Sequence, residues 1–207
     1  MPDPDPTPDP ILGERFADAA AYAVGLHARQ ARKSSPIPYA THLLAVCSLV
    51  LEDGGTEDEA IAALLHDGPE DQGGRRILHE IRERFGETVA TLVEALSDAM
   101  PADGEEKEAW LPRKRRYLAR LQGEDASVLR ISLADKLHNA RSMAADRERL
   151  GEALWGRFNA GRSEQARYYG ALLDIFDARL PGSRNLPEFR RVVEALFPRD
   201  GGSPAHL

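Results

Sequence analysis

The sequence predicts an all-α fold, a single-domain helical bundle. Nearly every segment after residue 12 spaces its apolar residues at helical period, none shows the sustained alternation of a strand, and no internal repeat or second domain is visible along the 207 residues. A 22.8 kDa chain of this kind is long enough to enclose a core. The domain is expected over 13–198, between a disordered Pro/Asp-rich tail over 1–12 ("PDPDPTPDP") and a flexible C-terminal tail over 199–207.

The elements follow in order. "GERFADAAAYAVGLHARQARK" (13–33) is alanine-rich and helix-forming, and a Ser-Ser-Pro-Ile-Pro loop comes next. "YATHLLAVCSLVLED" (39–53) is almost wholly apolar and is read as a buried helix. Thr56 and Glu59 have the spacing of a capping box, starting a helix through "EDEAIAALLHD" that Gly68-Pro69 is expected to stop. Ile77, Ile81 and Phe85 form one stripe of "RRILHEIRERFG" (75–86), and "ETVATLVEALSD" (87–98) resumes directly. A polar loop is expected over 100–108, then helices near 110–122, 126–146, 150–180 and 187–197, with Pro181-Gly182 as a break.

Composition narrows the function. The formal charge of -7 argues against a nucleic-acid binder, which needs a basic face, but allows a small phosphorylated ligand held by local cations. Mean hydropathy is -0.44, and no apolar run reaches the ~20 residues of a membrane span. The N-terminus shows no signal-peptide pattern. Cys47 is the single cysteine, set among apolar residues, so a buried thiol and a cytoplasmic location are expected.

The chemistry gathers in three places. In "AALLHDGPEDQGG" (62–74) a buried helix runs into His66 and Asp67, then Glu70 and Asp71. Adjacent His and Asp at a helix end point about 100° apart and can bite one ion, with the borderline-hard donors of Mn, Fe, Zn or Mg. His42 stands in the first turns of another apolar helix, where a core histidine is the plainer reading. In "VLRISLADKLHNARSMAAD" (128–146), Asp135, Asn139 and Ser142 form a polar stripe opposite Leu133, Leu137, Ala140 and Ala144. That stripe reads equally as a solvated face or a cleft wall. Arg113 to Arg116 read as a solvated face rather than a phosphate patch, His138 as a hydrogen-bonding residue, and Trp110 and Trp155 as packing anchors.

Four blocks, "HARQARKSSPIPYATHLLAV", "AIAALLHDGPED", "IRERFGETVATLVEALSD" and "ISLADKLHNARSM", resemble in order and spacing the HD-superfamily hydrolase domain of RelA/SpoT proteins, nearest its stand-alone alarmone hydrolases. The resemblance covers roughly 13–180. It implies that His42, His66, Asp67 and Asp135 bind one divalent metal, usually manganese, and that Glu70 and Asp71 position and deprotonate the attacking water. It further implies substrate contacts from Arg32, Lys33, Asn139, Ser142 and Tyr168, and Mn-dependent removal of the 3′-pyrophosphate of (p)ppGpp. The chain departs from the family pattern at Leu43, Gly68-Pro69, Gln72 and Ser132. Action on another nucleotide (an adenine alarmone, or the 2′-phosphate of NADPH) and a non-catalytic nucleotide-binding regulator are the alternatives.

Overall fold

The computed structural model describes residues 12–33, 35–98 and 108–198. The tails expected over 1–12 and 199–207 lie outside these residues apart from Leu12, and the loop expected over 100–108 lies outside them apart from Glu108. Within them the chain is helical: α1 (Glu14–Leu26), α2 (Ala40–Glu52), α3 (Glu57–Leu65), α4 (Gly68–Gln72), α5 (Gly74–Phe85), α6 (Glu87–Leu96), α7 (Trp110–Leu121), α8 (Ala126–Leu150), a 3-10 segment (Gly151–Arg157), α9 (Arg162–Arg179) and α10 (Leu186–Leu196). No strand occurs among the described residues; an isolated bridge joins Ala31 to Pro38. Among the described residues, no helix is long and apolar enough to cross a membrane.

The core is built around α3. Ala60 through Leu65 are each at most 1% exposed, because α3 packs against α1, α2, α6 and α8 at once. Such a helix cannot be amphipathic, and its sequence duly lacks a polar face between Glu59 and His66. Its start is the expected capping box: Thr56 Oγ1 accepts from the Glu59 amide at 3.3 Å, and Glu59 Oε2 accepts from the Thr56 amide at 2.6 Å. Ile77, Ile81 and Phe85 of α5 are buried as one stripe, and Cys47 is buried in α2.

Three boundaries differ from the sequence reading. The helix expected over 13–33 ends at Leu26, and the chain turns through His27–Lys33 toward the bridge at Ala31. Gly68-Pro69 does not stop α3, which ends at Leu65; it opens α4, where proline's missing amide costs nothing in the first turn. Gly68 is a packing glycine: a Cβ there would come within 3.1 Å of Leu26 Cδ2 and 3.3 Å of Ile77 Cγ2. The helix expected over 150–180 is two elements, because α8 runs on to Leu150 and Gly151 takes φ +57, a left-handed value that ends a helix.

Candidate active site

Four side chains from distant parts of the chain meet at the end of α3. His42 comes from the first turn of α2, His66 and Asp67 from the link between α3 and α4, and Asp135 from the middle of α8. His42 Nε2 lies 3.2 Å from Asp135 Oδ1 and 3.5 Å from Asp67 Oδ2, and His66 Nε2 lies 3.1 Å from Asp67 Oδ2 and 3.8 Å from Asp135 Oδ1. Donor atoms about 2.1 Å from a shared cation stand about 3 Å apart when at right angles, so this spacing suits one ion. Among the described residues, His42, His66 and Asp67 offer ligand atoms that all lie within 4.8 Å of one another.

The donor set has the character of a metal site. His66 Nδ1 donates to the Ala63 carbonyl at 2.8 Å, so in the neutral imidazole that a metal would bind, Nε2 carries the lone pair. That buried Nε2 makes no hydrogen bond among the described residues, although two carboxylates are close. An orphaned imidazole nitrogen is costly in a core, and a cation removes the cost. Burial lowers the His66 pKa, but the charges of Asp67 and Asp135 more than reverse it and hold it well above its ordinary value. Burial acts to raise the two carboxylates, yet both are held well below the usual range, Asp67 by His66 and His42 and Asp135 by Lys136 and the same histidines.

Beside this group opens a cavity of about 150 Å³ whose wall includes Asp67, Glu70, Asp98, Lys114, Asp135 and Lys136. Glu70 enters it from α4. The Asp98 amide donates to Glu70 Oε1 at 2.6 Å, and burial first, then the charges of Asp98 and Asp67, push the Glu70 carboxyl up to about 7. Asp71 is exposed on the next position of α4 and accepts from Gln30 Nε2 at 2.8 Å.

The residues expected to contact substrate are distributed unevenly. Asn139 lines the cavity and donates to Asp135 Oδ1 at 2.6 Å, and Arg32 joins it by donating to Asn139 Oδ1 at 2.7 Å. Lys33 reaches Asn159 instead, at 3.4 Å, and Ser142 Oγ folds back on the His138 carbonyl at 3.0 Å. Tyr168 is buried, with the Lys114 ammonium 5.4 Å from its ring centre.

Four residues of this region escape the sequence reading. Tyr39 donates to Asp67 Oδ2 at 2.6 Å, and burial with the neighbouring Asp67 raises its pKa, keeping it a donor. Asp98 bonds Glu70 through its amide and holds Arg113 and Lys114 at 2.5 Å each through its carboxylate. Lys136 pairs with Asp135. Lys114 corrects an expectation: within the basic run only part is a solvated face, for Arg116 is 60% exposed but Arg113 and Lys114 are 11% and 18% exposed. A basic helix face looks the same in sequence whether it meets water or a distant carboxylate.

A family model described as HD domain matches residues 19–163. The GTP pyrophosphokinase rsh of Brucella ovis is 33% identical over 189 residues, covering 90% of this chain and 23% of that protein. The guanosine-3′,5′-bis(diphosphate) 3′-pyrophosphohydrolase of Aquifex aeolicus is 35% identical over 139 residues, 67% of this chain and 19% of that protein. The chain thus spans about a quarter or less of the length of these relatives. Among solved structures, a metazoan orthologue of SpoT, described as hydrolysing ppGpp, superposes with TM-score 0.70 at 23% identity over 91% of this chain and 98% of that one, a likeness of fold. A Listeria monocytogenes protein superposes with TM-score 0.64 at 25% identity over 75% of this chain and 98% of that one.

Proposed function

The chain belongs to the HD domain family, and from that membership we propose that it is a manganese-dependent pyrophosphohydrolase of guanosine alarmones, converting ppGpp or pppGpp to GDP or GTP plus pyrophosphate. One observation carries the reading: His42, His66, Asp67 and Asp135 converge beside a cavity that also receives the carboxyl of Glu70. The similarity to the Aquifex aeolicus pyrophosphohydrolase supports the choice of substrate.

The residues present fit a divalent cation. With Glu70 ionised and the histidines neutral, four carboxylates (Asp67, Glu70, Asp98, Asp135) exceed the two ammonium groups (Lys114, Lys136) and the Arg113 guanidinium on Asp98 by one charge, which a divalent ion more than balances. Imidazole and carboxylate donors suit manganese among the borderline-hard metals. Such an ion supplies Lewis acidity, acidifying water and drawing charge from phosphoryl oxygens.

The chain's own groups do the rest. Glu70 takes the proton of the attacking water at its carboxylate, for which a pKa near neutrality is suited. Water oxygen bonds to the 3′-phosphorus, the bond from that phosphorus to the ribose 3′-oxygen breaks, and the 3′-oxygen leaves as the nucleoside hydroxyl, taking a proton from solvent while Glu70 returns its own to solvent. In this reading Asp71 helps orient the water, Arg32 and Lys33 hold the nucleotide, Asn139 and Ser142 stand beside sugar and base, and Tyr168 lies toward the phosphates. The same reading puts the reaction in a reducing, cytoplasmic setting, which suits a lone buried thiol.

The test is direct. Purified, manganese-loaded protein is incubated with ppGpp and pyrophosphate release is followed. Turnover that disappears on removal of the metal and falls at least about a hundredfold in Glu70→Ala is expected; no turnover, or turnover indifferent to Glu70, rejects the assignment.

A further inference from the structure

The basic run on α7 sends one member into the cavity. Lys114 Nζ sits 2.5 Å from Asp98 Oδ2, with its side chain 18% exposed and lining the same cavity as Glu70 and Asp135. Lys136 enters from α8, paired with Asp135 and 13% exposed. The ring of Tyr117 lies between the two helices, with Lys114 Nζ 5.8 Å and Lys136 Nζ 5.1 Å from its centre. Tyr117 is itself fixed, buried and joined through its hydroxyl to Ser132 Oγ at 2.7 Å.

Two ammonium groups over one aromatic ring repel each other unless an anion answers each. Asp98 and Asp135 provide those anions, but Asp135 is also one of the four residues around the candidate ion. Once a divalent cation draws on Asp135, Lys136 keeps only part of its countercharge, and Lys114 already shares Asp98 with Arg113. The cavity would then present partly uncompensated positive charge on Lys136 and Lys114, beside the candidate metal group.

We propose that Lys114, assisted by Lys136 over the Tyr117 ring, is the subsite that grips the pyrophosphate group and sets the preference for a diphosphate over a monophosphate. The inference rests on the phosphohydrolase reading above. Ammonium groups are suited to this task, acting as point charges toward phosphoryl oxygens without demanding the planar geometry of arginine.

The probe is inorganic pyrophosphate, titrated by calorimetry into the manganese-loaded full chain beside inorganic phosphate, with Lys114→Gln and Lys114→Arg in parallel. The parent is expected to bind pyrophosphate more tightly than phosphate. Lys114→Gln weakens pyrophosphate about tenfold and raises KM for ppGpp to a similar degree with little change in kcat, while Lys114→Arg stays close to the parent. Equal losses in Gln and Arg variants, unchanged pyrophosphate affinity in Lys114→Gln, or no pyrophosphate binding by the parent overturns the inference. Turnover of ppGpp with Lys114-independent pyrophosphate binding sinks the subsite and leaves the function standing; Lys114-dependent binding without any ppGpp turnover does the reverse.

Discussion

His42 Nδ1 lies 2.8 Å from His138 Nδ1, so one imidazole must donate to the other. The Nε2 side of His42 faces Asp67 and Asp135, and it is the side that would hold the candidate ion. A metal-binding Nε2 requires the His42 proton on Nδ1, and His138 must then accept with a bare Nδ1. Burial, followed by the charges of His42 and Arg32, lowers the His138 pKa to about 4, which keeps it neutral and able to accept. His138→Ala is therefore expected to weaken manganese binding about tenfold while the circular dichroism spectrum stays that of the parent. Unchanged affinity by calorimetry would show that His138 does not orient the ligand.

The end of α3 that carries His66 depends on a buried ion pair at its other end. Glu59, 2% exposed, completes the capping box and also holds Arg130 of α8, whose Nε stands 3.6 Å from Asp53. Removing the carboxylate takes a capping bond and leaves the partly exposed Arg130 with Asp53 as its remaining carboxylate, so Glu59→Ala should cost about 2 kcal/mol in urea unfolding. Thr56→Ala removes one capping bond and should cost about 1 kcal/mol. Equal costs would mean that the Arg130 pair contributes nothing beyond the cap.

How much of this was legible in the sequence depended on whether the cause was local. Helical period marks α2, α5 and α6 because each presents its apolar residues to neighbours in the same register, and Thr56 with Glu59 announces the start of α3 within four residues. The convergence of His42, His66, Asp67 and Asp135 is carried by motif, and their distances bring them to one point. Asp98 and Lys114 are a different matter: their roles arise from contacts across elements, and nothing within either segment tells a clamped lysine from a solvated one. Gly68-Pro69 was misread for a related reason. Gly-Pro signals a break, but only the approach of Leu26 and Ile77 reveals that the glycine is there to make room.

Cys47 offers a test of core tightness. Its side chain is 4% exposed and burial raises its thiol pKa to about 11, so thiolate is scarce near neutral pH. Reaction with a disulfide reagent at pH 8 should be about a hundredfold slower in the native protein than in denaturant. A native rate near the denatured one would show that α2 opens readily, and that His42, five residues earlier on the same helix, is held loosely too.

On the proposed role of Glu70 as general base, the pH dependence of turnover follows from its titration. A general base works only when ionised, and burial together with Asp98 and Asp67 sets this carboxyl at about 7 in the absence of a metal. Activity should therefore rise as pH increases through the Glu70 titration. A bound divalent cation favours the ionised form, so the midpoint in the loaded enzyme falls below 7 rather than above it. Asp98→Asn removes a negative charge facing Glu70 and leaves Lys114 unpaired beside it; both changes favour the carboxylate and move the midpoint lower still. The sign is the discriminating feature, since a base governed by desolvation and repulsion must respond in this direction. A rate profile whose acidic limb moves up in Asp98→Asn, or survives in Glu70→Gln with the same midpoint, would assign the titrating group elsewhere.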